Sequence, residues 1–314
     1  MRSNEIGPTA PWEADQVTVE LESVYERLLS TPGVTFLLGG IDCGKTTFGV
    51  ELARRAVTAG IPTAIVDGDP VQSTVGPPTT IGLKHIGGPE ALTRAELRVA
   101  DALGFVGSLI PKGHLLPLVT NTGKLAARAK REGAALVIID TTSLISGIYG
   151  QSLNFFAMDL VQPDYVVGFE RGGELEPVVG IAQRFTPAEV MEVDVSSDVV
   201  PRTVDDRMTF REEQFAAYFA DGTSRWRVKP TVFMPTLPPE FDLALLDDLV
   251  VGMEDGAGTC VGIGVLEYDA TEDILRMISP VTQGVKGLRL GSVRVDTSGR
   301  SRGPVDLRQL FGTE

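Results

Sequence analysis

The residues with the clearest chemical use lie between positions 37 and 48, in "LLGGIDCGKTTF". Gly39, Gly44, Lys45 and Thr46 fit the spacing G-x-x-x-x-G-K-[ST] of a phosphate-binding loop. Glycines let the backbone wrap a phosphate chain, and N–H groups at a helix N-terminus point at negative charge. Lys45 can reach terminal phosphates, and the Thr46 hydroxyl can bind Mg²⁺. Gly40, Asp42, Cys43 and Thr47 complete the expected nucleotide cradle. A second Gly-Lys pair, Gly123-Lys124, lacks the upstream Gly and the following Ser/Thr and reads as a helix start.

The next chemical signal is "IVDGDPVQSTVGPPTTIGL" at 65–83, where Asp67 and Asp69 end an apolar run. Residues two apart share a face of a strand. Carboxylates at the carboxyl end of a parallel strand stand beside a phosphate loop, where α/β sheets bind ligands. One can hold Mg²⁺ through water while the other takes a proton from an attacking hydroxyl. The bland alternative is a solvated turn with Asp in its usual place.

Positioning these groups requires a sheet. Apolar runs at 33–38, 63–69, 135–142 and 164–169 alternate with helical stretches at 45–60, 121–133 and 151–161. Continuous apolar strands between helices predict an α/β fold, a parallel sheet covered on both faces. Before it, residues 1–30 start polar and then predict a helix from about Asp15 to Leu29, with Val17, Leu21, Val24 and Leu28 at helical spacing. From about Thr231 the texture changes to short β-rich runs with Gly turns, which predicts a small C-terminal β-domain over 231–314 behind a P-loop domain at 31–230.

Composition narrows the class. The chain has 314 residues, 43% hydrophobic and 22% charged, ordinary for a globular protein with ample core. No apolar run approaches the roughly 18 residues of a membrane span, and a cytoplasmic protein without membrane association is expected. Two cysteines and two histidines offer neither a disulfide framework nor a His-rich metal site. A net charge of -14 disfavours broad electrostatic capture of nucleic acid but leaves room for a small basic site. Residues 201–230 are such a place, with six Lys/Arg against five Asp/Glu. Arg207 and Arg211 share a helix face there and can clamp a transferring phosphoryl group. The alternative is a solvated face paired to Asp205, Asp206, Glu212 and Glu213.

Taken in order, "GGIDCGKTT" and "DGDPVQSTVGPPTTIGL" resemble the Clp1/Grc3 family of polynucleotide 5′-hydroxyl kinases. "FVGSLIPKGHLLPLV" (105–119), "IIDTTSLISGIYG" (138–150) and "VPRTVDDRMTFREEQFAAYF" (200–219) resemble further family segments, the last two its clasp and arginine-rich lid. The resemblance spans 33 to about 296 and implies transfer of the ATP γ-phosphate, with Mg²⁺, to a 5′-hydroxyl of RNA or DNA. It gives Lys45 and Thr46 the P-loop roles, makes Asp42 the loop's internal acid, and favours Asp69 as the base, leaving Asp67 to the metal. It gives Arg207 and Arg211 the lid roles, with Arg202 in the same register, and puts Gln72, His114, Thr141 and Arg202 near the acceptor. "FERGGELEP" (169–177) is similar to a segment near the nucleotide base. Two departures stand out: Val71 occupies a glycine position, and Leu144 stands where many members carry a clasp tryptophan. Two other classes fit the motifs, a P-loop kinase of a small molecule and a non-enzymatic ATP-bound assembly module.

Overall fold

In the computed structural model the described residues are 20–196, 199–220 and 222–312. The helix expected from Asp15 is described as α1, Leu21–Ser30, with Val24, Tyr25 and Leu28 buried; positions 15–19 lie outside the described residues. Leu21, expected in the apolar stripe, is exposed instead. The chain then runs β1 (Val34–Gly39), α2 (Lys45–Thr58), β2 (Thr63–Gly68), β3 (Thr80–Ile86), the short α3 (Arg94–Leu97) and β4 (Ala102–Phe105). It continues with α4 (Leu115–Arg131), β5 (Leu136–Thr141), α5 (Gly147–Val161), β6 (Tyr165–Glu170), α6 (Glu176–Phe185), β7 (Glu189–Asp194) and α7 (Val204–Ala220).

The parallel sheet predicted from the apolar runs is present, in the order β2-β5-β1-β6-β7. Every residue of β1, β2, β5 and β6 is buried, as strands covered on both faces must be. Alternation along β1 sends Phe36 and Leu38 into a core with Leu118, Leu125 and Leu153 of α4 and α5. Leu37 faces the other way, into a core with Leu28, Phe48 and Leu52 of α1 and α2. β3 and β4 extend the sheet by antiparallel pairing, and β4 meets the C-terminal strands through a bridge between Leu103 and Cys260.

The C-terminal part is β-rich, as its Gly-punctuated runs predict. It contains β8 (Ser224–Val228), β9 (Phe233–Met234), β10 (Leu249–Glu254), β11 (Cys260–Asp269), β12 (Ile274–Ser279), β13 (Gly287–Val295) and β14 (Ser301–Pro304), followed by the short helix α8 (Leu307–Leu310). Phe105 joins the two regions: it packs with Phe215 and Phe219 of α7 and with Val250, Ile263 and Val293 of the C-terminal strands. No described helix is long and apolar enough to cross a membrane.

Candidate active site

The phosphate loop connects β1 to α2. Gly44 sits at φ 93°, left-handed backbone that glycine adopts without a steric cost, and Asp42 at φ 49°. A Cβ on Gly39 would stand 2.4 Å from Cys43 Sγ and 3.1 Å from the Phe169 carbonyl oxygen, so only glycine fits where the loop leaves the strand. Lys45 is buried, and its ammonium donates to the carbonyls of Gly39 and Gly40, both at 2.8 Å, with Cys43 Sγ at 3.5 Å. Thr47 is exposed. The Thr46 hydroxyl donates to Asp140 Oδ2 at 2.5 Å.

Asp140, next to last in β5, stands directly opposite Asp67 of β2. Both carboxylates are buried, yet they are held differently. Asp67 Oδ1 accepts from the Asp69 N–H at 3.0 Å, and Oδ2 accepts from the N–H groups of Thr74 and Val75 at 2.5 and 2.9 Å. Its two oxygens shape the turn after β2 and form no hydrogen bond with Thr46. Asp140 Oδ1, by contrast, is buried without a partner. Burial and the neighbouring Asp140 push the Asp67 pKa upward. Burial also raises Asp140, against the opposing pull of Lys45 and of the Thr46 hydrogen bond. Asp140 was legible as the acid closing the apolar run "LVIID"; sequence reasoning passed over it for the adjacent Thr141.

Asp69 follows in the same turn. Its Oδ1 accepts from the N–H groups of Val71 and Gln72 at 2.8 and 3.3 Å. Val71 lies outside the left-handed region, so the missing glycine costs this turn nothing. Burial raises the Asp69 pKa, and the fields of Lys45 and Arg202 act against that rise.

Helix α7, where the sequence places the lid, reaches this centre through Asp42. The Asp42 carboxylate is 5% exposed, and it accepts from the Arg202 backbone N–H and Nε at 3.0 and 3.1 Å and from Arg207 at 2.9 Å. Arg171, at the end of β6, donates to the Asp42 carbonyl. That contact is not visible in the sequence. Arg211 lies partly buried one turn beyond Arg207, with no partner for its buried Nε. Gln72 donates to the Arg207 carbonyl at 3.2 Å and thereby ties the β2 turn to α7. A cleft of about 570 Å³ opens beside Arg171, lined by Glu170, Asp194, Val195, Ser196, Val199 and Pro201.

Two expected acceptor residues are engaged elsewhere. The Thr141 hydroxyl donates to the Leu37 carbonyl at 2.6 Å, a brace between β5 and β1. His114 Nε2 lies 3.1 Å from Ser292 Oγ of β13, where it joins the 106–114 loop to the C-terminal strands, and burial lowers its pKa. Leu144, at the clasp, packs partly buried against the core.

The sequence model of the mRNA cleavage and polyadenylation factor CLP1 P-loop family matches residues 39–221, more than half of the chain. The chain belongs to the CLP1 P-loop family. A polyribonucleotide 5′-hydroxyl-kinase of Pyrococcus horikoshii is 26% identical, with 90% of this chain and 91% of that one covered. The corresponding protein of Methanocaldococcus jannaschii is 25% identical over 86% of this chain and 89% of its own length. A solved structure of a wild-type Clp1p–Pcf11p complex shares the fold, with a TM-score of 0.67, 13% identity, and coverage of 87% of this chain and 78% of that one. CLP1 family membership accounts for the order of the motifs along the chain.

The geometry gives Asp67 a structural task that can be measured. Asp67→Ala orphans three backbone N–H groups in a buried turn. At about 1–3 kcal/mol for each unsatisfied donor, it should destabilise the protein by roughly 3 kcal/mol or more in urea unfolding. Stability within 1 kcal/mol of wild type, roughly the worth of a single hydrogen bond, would show that those donors find other partners.

Proposed function

We propose that this chain is an ATP-dependent polynucleotide 5′-hydroxyl kinase whose acceptor is an RNA end. The observation that carries this reading is the convergence of Lys45, the Thr46–Asp140 pair, Asp69 and the Asp42-bound lid arginines at the carboxyl end of one parallel sheet. Relatives called polyribonucleotide 5′-hydroxyl-kinases, alignable over about nine-tenths of the chain, support it.

The reaction forms a bond from the 5′ oxygen to the γ-phosphorus and breaks the bond from that phosphorus to the β–γ bridging oxygen, so that ADP leaves. The hydroxyl proton passes to Asp69, the acid in the β2 turn with an oxygen free of backbone bonds. Lys45 exchanges the Gly39 and Gly40 carbonyls for phosphate oxygens. The orphaned Asp140 Oδ1 and the Thr46 hydroxyl suit Mg²⁺, which prefers one or two side-chain oxygens together with substrate phosphates. When bound, the ion neutralises charge on the β- and γ-phosphates. We therefore assign the metal role to Thr46 and Asp140 rather than to Asp67. Arg202, Arg207 and Arg211 close over the developing charge, and the cleft at the ends of β6 and β7 takes the nucleotide base.

Incubation with labelled ATP and matched 5′-hydroxyl RNA and DNA oligonucleotides tests the reading, with nucleosides and sugars as rival acceptors. Label should appear at the RNA 5′ end. Transfer to small molecules alone, or tight ATP retention without transfer, would replace it by one of the two rival classes. Asp69→Asn should lower turnover by roughly a hundredfold or more while ATP binding survives. The base works deprotonated and burial raises its pKa, so wild-type turnover should fall with decreasing pH along a limb lying above the ordinary Asp range. The Asn variant should lack that limb; its persistence would move the base elsewhere.

The lid carries a separate expectation. Arg207→Ala should lower kcat by up to roughly 10³-fold, the scale of a cis arginine on a transferring phosphoryl group, with a smaller effect on ATP affinity. Arg207→Lys should rescue poorly, because an ammonium lacks the planar fork that matches two oxygens. Unchanged kcat in both variants would reduce the Arg207–Asp42 pair to a structural contact.

A further inference from the structure

β3 runs antiparallel to β2 and β4 antiparallel to β3, so β4 points the same way as β2 and β5. Segment 106–114 therefore leaves the sheet at the same edge as Asp69 and Asp140. Its start is pinned there: the N–H groups of Val106 and Gly107 both donate to the Thr79 carbonyl, in the turn that follows Asp69. The chain after Asp140 also leaves at this edge and enters α5. Ile145 on that connection lies 3.7 Å from where a Cβ on Gly40 would be, and Gly150 packs against Ile145. The first turn of α5 thus stands at the rim of the phosphate loop.

At that rim Lys112 of one segment meets Tyr149 of the other. Lys112 Nζ lies 4.8 Å from the centroid of the Tyr149 ring. Lys112 covers one side of the ring, yet Tyr149 remains 42% exposed. Among the described residues neither side chain forms a hydrogen bond or an ion pair. Ile110 and Ile148, beside them in the chain, are also exposed, at 49% and 71%. An open aromatic face, flanked by apolar side chains and carrying an unpaired cation, is the combination that binds single-stranded nucleic acid: the ring stacks a base and the cation meets its phosphate. In a chain of net charge -14 such a place stands out.

We propose that Tyr149, held by Lys112, is the stacking platform for a base at the 5′ end of the acceptor polynucleotide. This rests on the kinase reading and adds to it a residue that positions the acceptor without touching the reacting atoms. Stacking asks only for a π-face, so the platform accepts any base and favours a single-stranded end over a blunt duplex.

The test is steady-state phosphorylation of a 5′-hydroxyl oligoribonucleotide by the full chain. Tyr149→Ala should raise the oligonucleotide KM roughly tenfold, the scale of one lost stacking contact, and leave the KM for ATP unchanged. Tyr149→Trp should retain low KM and Tyr149→Leu should not, which separates a π-face from mere apolar bulk. In Tyr149→Trp the indole emission should change on addition of the oligonucleotide to a greater extent than in wild type, a readout independent of turnover. Lys112→Ala should weaken the salt dependence of oligonucleotide binding by about one phosphate contact. If wild type phosphorylates the RNA but Tyr149→Ala does so with unchanged KM, the platform is overturned and the kinase reading stands. If wild type phosphorylates no 5′-hydroxyl RNA, both fall.

Discussion

Two carboxylates, Asp67 and Asp140, stand opposite one another on adjacent buried strands, and much of the site is arranged around keeping them there. Like charges in a desolvated place oppose each other's ionisation, and each also resists leaving water. The chain meets this in two ways. Three backbone N–H groups turn inward on Asp67, which requires segment 68–75 to fold tightly against the end of β2. The Thr46 hydroxyl and the field of Lys45 serve Asp140, which fixes the first turn of α2 against β5. The position of Asp69, and the tie from Gln72 to the lid, follow from the first of these arrangements.

The cations are balanced by the same logic. Lys45 rests on the carbonyls of its own loop, and Arg202 and Arg207 rest on the buried Asp42. These are contacts that phosphate oxygens can replace one for one, since each involves a donor already pointed at the loop. Asp42 is then more than a loop acid. It holds Arg202 and Arg207 beside the phosphate loop, and on the proposed kinase reading little further ordering of long side chains would be needed during transfer.

Much of this was legible in the sequence because local rules decide it. Gly39, Gly44, Lys45 and Thr46 are constrained by backbone geometry within eight residues, and the flanking apolar strand and helix are periodic enough to read. The parallel sheet followed from uninterrupted apolar runs. β3, with "TIGLKHI", and β4, with the four-residue "ALGF", were not read as strands: they follow turn-rich segments, and antiparallel partners decide them. The division of labour between Asp67 and Asp140 needs knowledge of which oxygen meets which N–H, and no spacing rule supplies that. The Asp42–Arg207 pair joins residues 165 positions apart and depends on where α7 docks. Lys112 and Tyr149 lie in two separate segments singled out in the sequence, yet neither was marked as a site residue, since only the fold brings them together.

The central claim is that Asp140 with Thr46, and not Asp67, holds the divalent ion while Asp67 holds the turn. The most direct measurement is the Mg²⁺ dependence of phosphoryl transfer in Asp140→Asn and Asp67→Asn, compared with wild type. Asp140→Asn should shift half-saturation by roughly 10–100-fold towards higher Mg²⁺, the usual cost of losing a group that orients the metal shell, while Asp67→Asn should stay within about twofold. A shift confined to Asp67→Asn, with Asp140→Asn like wild type, would contradict the account.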